Sequence, residues 1–398
     1  MKVKVSSLFV LERYVKVASG SIYILFLAKY LGADLYGEYS TNLAFIGLFS
    51  LLGFSGADGI FQKKLSKSVD HVKTIKSFIF LKSTFIFIGV LAYFIYGSEE
   101  YQLFVYFMPF LLSSIFSFSY QGLVYDEKIK NILITSFVVI LFSNLFRVYL
   151  FTHQLSLHWY ALSYSIEAAC YPLGYFLQYV SKKKMFNSKL YSIDVIVLIR
   201  DSWPLIISTI IVGLFTKLAL INLAKYNEPF EVGRFSLLLR VIEGMLIIAT
   251  STSVLQLKKL LNAGDKYNEI KNRYIKTMYL VATIVSIIAY VLVSIFIPVV
   301  FGQEYEFSAN IAFVTSIIVF FNFIGIYNGR LLVVEGYYYF PLIRNTLSLL
   351  IFVVYNNMVT QSLESSLLSL LITWVFSSFI CMLITGNTRR MLFFEYKK

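Results

Sequence analysis

The chain has 398 residues, 58% of them hydrophobic and 14% charged, with 35 Lys and Arg against 22 Asp and Glu. That much apolar surface excludes a water-soluble body of this length and points to a polytopic membrane protein, with a mean hydropathy of +0.73. The net charge of +13 is scattered over many short segments, a pattern that excludes a nucleic-acid interface and suits contact with an anionic membrane leaflet.

In chain order, hydrophobic runs of about 20 residues recur with brief polar breaks, and each is long enough to cross a hydrocarbon core as a helix. The alternating polarity of membrane β-strands is absent. The predicted fold class is therefore all-α integral membrane. Twelve spans are predicted, at about 8–30, 39–60, 77–97, 103–124, 132–151, 159–180, 202–224, 235–257, 274–297, 307–329, 341–358 and 365–386. The N-terminus is not a cleavable signal, because Glu12, Arg13 and Lys16 interrupt its apolar run. Breaks after the even-numbered spans carry most of the Lys and Arg, as do both ends of the chain. The rule that positive loops face the cytoplasm then predicts both termini on that side. Trp159 and Trp203 fall at span ends, where rings favour the interface, whereas Trp374 lies within a span and reads as a packing residue.

The chain repeats itself. Residues 27–40, LAKYLGADLYGEYS, align without a gap on residues 223–236, LAKYNEPFEVGRFS. They share Leu27/Leu223, Ala28/Ala224, Lys29/Lys225, Tyr30/Tyr226, Gly37/Gly233 and Ser40/Ser236, and Tyr39 matches Phe235. The offset of 196 residues is close to half the chain, so one unit built twice is expected, as lobes 1–190 and 191–398 of six helices each around a central cavity. Each copy reads as a short polar hairpin between two apolar runs. Tyr120-Gln121-Gly122 and Tyr327-Asn328-Gly329 give a second echo at an offset of 207.

Chemistry-bearing motifs are scarce. Cys170 and Cys381 lie inside apolar runs and give no disulfide or metal spacing, and His71, His153 and His158 resemble no ligand set. No metal and no cofactor is expected. No catalytic constellation is found, and no break is long enough to hold a soluble domain, so an enzyme is not expected.

The informative residues are ionisable groups inside spans, each costing about 2.5 to 3.5 kcal/mol at a helix centre, so that such groups face a cavity or a partner. Glu12, Arg13 and Lys16 crowd span 1, with Glu12 and Lys16 four apart, the acid first. Snorkelling to the surface is the competing account, strongest for Glu12 and Arg13. Lys217 in span 7 and Arg240 in span 8 lie at similar depth. With Glu243 a turn from Arg240, they form either a ligand-facing cationic pair or a closed ion network that packs the bundle. Arg147 and Glu167 form a comparable pair in the first half, unless Arg147 snorkels outward. Asp58, Lys82, Lys276 and Arg344 lie near inner ends, where headgroup exposure accounts for them. Pro109, Pro172 and Pro204 sit within spans, Pro204 near the start of its own.

Arg200-Asp201-Ser202-Trp203-Pro204-Leu205, opening span 7, resembles the polysaccharide-transport branch of the multidrug/oligosaccharidyl-lipid/polysaccharide exporter superfamily, specifically the O-antigen flippases. The twin LAKY hairpins, Phe301-Gly302 with Tyr305, and the Tyr-Asn-Gly run ending span 10 are similar to turns of that family. The resemblance implies two six-helix lobes around a cavity opening alternately to each side of the bacterial cytoplasmic (inner) membrane. It implies as substrate an undecaprenyl-diphosphate-linked oligosaccharide of O-antigen, lipopolysaccharide or related surface polysaccharide biosynthesis. Implied partners are that lipid-linked oligosaccharide, anionic lipids and other polysaccharide-assembly membrane proteins. Lys217, Arg240, Lys16, Arg13 and Arg147 are then candidates for binding the diphosphate, and Glu167, Glu243, Glu12 and Asp58 for ion coupling or charge balance. Some relatives use an acid within span 7; here none follows Asp201 in that span, so such a role does not carry over. A cation-coupled small-molecule exporter of the same superfamily is the alternative, with Glu167, Asp58 or Glu243 coupling. A membrane-embedded polymerase or ligase is the third reading, disfavoured by the absence of a large outer loop.

Overall fold

The computed structural model describes residues 2–52, 71–96, 103–180, 192–261, 264–337 and 339–393, and its regular elements there are all helical. In hydrocarbon every backbone N–H and C=O must be satisfied within its own segment, and long runs of Leu, Ile, Phe and Val meet that demand as helices. In order they are α1 (Lys2–Leu52), α2 (His71–Tyr96), α3 (Phe104–Ser113), α4 (Phe118–Tyr125), α5 (Ile129–Thr152), α6 (Leu157–Val180), α7 (Ser192–Tyr226), α8 (Pro229–Leu261), α9 (Tyr267–Val291), α10 (Ile297–Phe301), α11 (Ala309–Val334), α12 (Phe340–Met358), α13 (Leu363–Val375), α14 (Cys381–Leu383) and α15 (Gly386–Arg389). Each predicted span falls on these helices as far as it is described. A 3-10 turn, Ser114–Phe116, interrupts α3 and α4, and π-turns Leu292–Phe296 and Phe376–Ile380 join α9 to α10 and α13 to α14.

Seven described stretches are long and apolar enough to cross a membrane. They lie on α2, α3–α4, α5, α7, α9–α10, α11 and α13–α14. The remaining long helices, α1, α6, α8 and α12, carry Glu12 and Lys16, Glu167, Arg240 and Glu243, and Arg344.

Two local expectations are corrected. The first LAKY copy is not a polar loop: α1 runs through it, broken at Gly32 alone, with φ 71° and ψ 175°. A side chain there would be strained, so glycine makes the break in one residue. The second copy breaks at Asn227 and Glu228, and Pro229, whose missing N–H costs nothing in a first turn, opens α8. Pro204 is not near the start of its helix either, because α7 begins at Ser192.

The chain divides into two compact units, residues 1–19 with 41–213 and residues 20–40 with 214–398. In the first unit, α6 packs against α3, α4 and α5. Its core includes Phe78, Leu81, Phe118, Tyr171, Tyr175 and Tyr179. In the second unit α11 is central, packed by α8, α9 and α13, with α12 against α13. Trp374 is buried and meets the Phe215 ring edge-on at 5.1 Å.

The twin segments meet inside the second unit. A methyl group on Gly37 would lie 2.0 Å from the Pro229 carbonyl oxygen, and one on Gly233 would lie 2.0 Å from the Ala33 carbonyl oxygen. Ala33 and Pro229 are themselves equivalent under the 196-residue offset, so the contact is reciprocal, the same surface used by each copy on the other. Tyr305 is pinned to the first copy, its hydroxyl donating to the Ala28 carbonyl at 3.2 Å. Burial raises that phenol above its ordinary range, which keeps the donor protonated.

Gly37→Ala and Gly233→Ala are each expected to destabilise the protein by about 1 to 3 kcal/mol, because backbone rather than a movable side chain must give way. Thermal unfolding of the detergent-purified protein checks this, and an unchanged melting temperature would show that the two segments are not in close contact.

Candidate functional site

In the first unit, polar side chains from α1, α4, α5 and α6 meet in the interior. Arg147 is 2% exposed, and its Nη2 donates to Glu167 Oε2. One turn along α6, the Tyr171 hydroxyl donates to Glu167 Oε1 at 3.1 Å. Arg147 Nη1 reaches Asn144 Oδ1 at 3.5 Å, and the Asn144 amide donates to Ser19 Oγ at 3.0 Å. The alternative that Arg147 snorkels outward is thereby corrected: a carboxylate, itself held by a phenol, and an amide keep it inside.

Glu12 is 3% exposed and does not snorkel either. Its Oε1 accepts from Ser136 Oγ at 2.6 Å and from the Tyr175 hydroxyl at 3.4 Å, and its Oε2 from the Tyr120 hydroxyl at 3.5 Å. The i,i+4 pair with Lys16 does not form. Lys16 Nζ sits 3.7 Å from the Tyr171 ring centroid and 5.7 Å from that of Tyr175. The tyrosine faces of α6 offer the cation a partner of their own, worth about 2 kcal/mol where water is excluded. Among the described residues Glu12 is thus a buried carboxylate held by hydroxyls, with no cation in ion-pair range.

In the second unit, Lys217 of α7 and Arg240 of α8 converge on one carboxylate. Lys217 Nζ lies 3.6 Å from Glu243 Oε1, and Arg240 Nη1 donates to Glu243 Oε2 at 2.6 Å. The side chains are 27%, 21% and 47% exposed for Lys217, Arg240 and Glu243, against 2% and 8% for Arg147 and Glu167. Among the described residues, two positive charges meet one negative there, and the three side chains are partly exposed.

Other expectations divide. The side chain of Arg13 and the whole of Asp58 lie outside the described residues. Lys276 is exposed, as expected. Lys82 and Arg344 are not: both are buried, at 2% and 5% exposure, with Lys82 Nζ donating to Ser117 Oγ at 3.0 Å beside the 3-10 turn. Tyr120, Ser136, Tyr171 and Tyr175 were missed by sequence reasoning. The signal existed, since Glu167, Tyr171, Tyr175 and Tyr179 recur every four residues along one stripe of α6. Among the described residues no cluster of His, Cys, Asp and Glu is suited to a metal.

The described residues thus build a multi-pass helical body with charges grouped inside its spans. No family model and no curated protein matches the sequence. Among solved structures, the chain is similar to the lipid II flippase MurJ in an inward closed conformation, with a TM-score of 0.72 at 15% identity over 97% of this chain and 90% of that one. It is similar to the MATE multidrug transporter DinF-BH, with a TM-score of 0.65 at 16% identity over 98% and 97% of the two chains. It is also similar to an inward-facing multidrug resistance transporter of the MATE family and MOP superfamily, with a TM-score of 0.61 at 11% identity over 94% and 98%. The fold is therefore the one shared by this flippase and these transporters.

Arg147→Met and Glu167→Gln are each expected to destabilise the protein by about 3 to 5 kcal/mol, because each strands a buried partner. The Arg147→Met/Glu167→Leu double variant is expected to cost much less. A double variant as unstable as the sum of the singles, by thermal unfolding, would show that the two do not act as a pair.

Proposed function

We propose that the protein is a flippase that carries an undecaprenyl-diphosphate-linked oligosaccharide, an O-antigen or related surface-polysaccharide repeat unit, from the inner to the outer leaflet of the bacterial cytoplasmic membrane by alternating access. The observation that carries this reading is the open Lys217–Glu243–Arg240 group on membrane-spanning helices. A diphosphate is a compact dianion that loses its hydration on entering a membrane protein, and a guanidinium beside an ammonium offsets that loss. The polyprenyl tail needs no enclosure, since it is as apolar as the lipid around it. Lys16 is a weaker candidate for the same role, being already occupied by a tyrosine face, and Arg147 weaker still, being neutralised by Glu167. The scatter of basic residues and their concentration after even-numbered spans favour anionic inner-leaflet lipids as neighbours and both termini in the cytoplasm.

One observation favours a second reading. Glu12, buried and held by three hydroxyls with no described cation in ion-pair range, is a carboxylate to which a small cation can bind, as a cation-coupled exporter of small molecules requires.

Charge-neutralising Lys217→Gln and Arg240→Gln together is expected to lower delivery of lipid-linked sugar to the outer leaflet about ten- to a hundredfold, from the loss of two charge-assisted contacts. Undiminished delivery at normal protein levels would defeat the anion-binding role. For the second reading, proteoliposomes of the Glu12→Gln variant are expected to lose gradient-driven efflux of an organic cation dye. Wild-type vesicles that move no dye at all would remove that reading.

A further inference from the structure

Arg344 is a charge without a carboxylate partner among the described residues of the second unit. It lies in the second turn of α12 and is 5% exposed, and its guanidinium carries a full positive charge at any physiological pH. Among the described residues its side chain makes one hydrogen bond, from Nε to Asn345 Oδ1 at 3.3 Å, and Nη1 has no partner. No described carboxylate stands within ion-pair range of it. A buried ion left uncompensated costs several kcal/mol, more than one neutral hydrogen bond returns.

The neighbouring helix is shaped around the same place. The π-turn Phe376–Ile380 interrupts α13 and α14 there, and such turns recur at functional sites. Ser377 Oγ donates to the same Asn345 Oδ1 at 3.4 Å. The Ser378 carbonyl accepts from Asn328 Nδ2 at 3.1 Å, while Ser378 Oγ is fully buried without a partner. Asn345 Oδ1, the acceptor of the cluster, is thus shared by two donors. Arg344 Nη1 is left as a buried donor without an acceptor, while Ser378 Oγ lies against Gly325 of α11.

We infer that Arg344, beside the α13–α14 π-turn, holds a small inorganic anion of halide size, chloride being the natural occupant. Water supplies acceptors but no charge, so it leaves the guanidinium uncompensated. A phosphate that carries a lipid tail is excluded, because Arg344 is too deeply buried for a tethered headgroup to reach. The site lies on α12 and the α13–α14 π-turn, residues unconnected with Lys217 and Arg240, so it stands whether or not the flippase reading does.

The test compares thermal unfolding of the full chain in detergent in sodium chloride and in sodium gluconate at equal ionic strength, gluconate being too large for the site. The melting temperature is expected to rise saturably with chloride, as for any ligand that binds the native state alone, and bromide is expected to act alike. Arg344→Gln is expected to abolish the dependence. In crystals grown with bromide, an anomalous peak is expected beside Arg344 Nη1, a readout that holds even where Arg344→Gln fails to fold. Equal melting in the two salts, a chloride effect that survives intact in Arg344→Gln, or a bromide crystal with no peak at Nη1 overturns the site.

Discussion

A charge inside an apolar helix must be matched, and how each one is matched sets the character of this protein. Placing an ion in low dielectric costs more than most single contacts return, so four arrangements appear. Arg147 and Glu167 cancel each other and are sealed. Glu12 is surrounded by hydroxyls. Lys16 rests on aromatic faces. Lys217 and Arg240 share Glu243 and stay partly open. The first is a packing device, because its members have nothing left to offer a ligand. The last differs in kind, because among the described residues its charge does not cancel and its side chains are accessible.

The repeated segment makes one tight joint of the second unit. The two LAKY segments pack on each other through Gly37 and Gly233, each backbone filling the space that a side chain on the other would take. Such a contact is possible only where both copies keep the small residue at the same position, and this explains why glycine is among the few identities the two halves share. The later Tyr-x-Gly echoes have diverged in use. The Tyr120 hydroxyl reaches the Glu12 carboxylate, whereas the Tyr327 hydroxyl donates to Thr252 Oγ1 at 2.8 Å. One half has turned its tyrosine toward a charge and the other toward a neutral hydroxyl, so equivalent positions do not imply equivalent chemistry.

Membrane-crossing helices were legible because hydropathy over about 20 residues is a property of a segment alone. Their fine structure was less so. The polar residues between spans 1 and 2 suggest a loop, yet the helix resumes directly after Gly32, because a glycine at positive φ breaks a helix without needing loop residues. Burial of the charges was hardest to read. Arg147, Lys82 and Arg344 lie near span ends where snorkelling is the ordinary outcome, and only the register of a neighbouring helix decides otherwise. Glu12 and Ser136 are 124 residues apart in sequence, and nothing local to either announces the other. Glu167 and Tyr171, one turn apart on α6, could be paired from spacing, and Lys217 with Arg240 from depth, since both arguments stay within one helix or one helical pair.

The open group in the second unit also constrains how a ligand would be held and released on the proposed reading. Glu243 already occupies both cations, and at 47% exposure it is the most accessible of the three side chains. An incoming dianion would not meet two bare charges; it would displace a carboxylate that is free to turn away. Its net gain is then the difference between two sets of ion pairs, which is small compared with either alone. A transporter needs that smallness, because a site that binds its cargo too well on one side cannot give it up on the other. Arg147 with Glu167 lacks such an exchange, being closed to any competitor. Exposure of the counterion is thus what separates the two groups: an accessible Glu243 leaves its cations available to a carrier's cargo, and a buried Glu167 makes its cation a fixed part of the core.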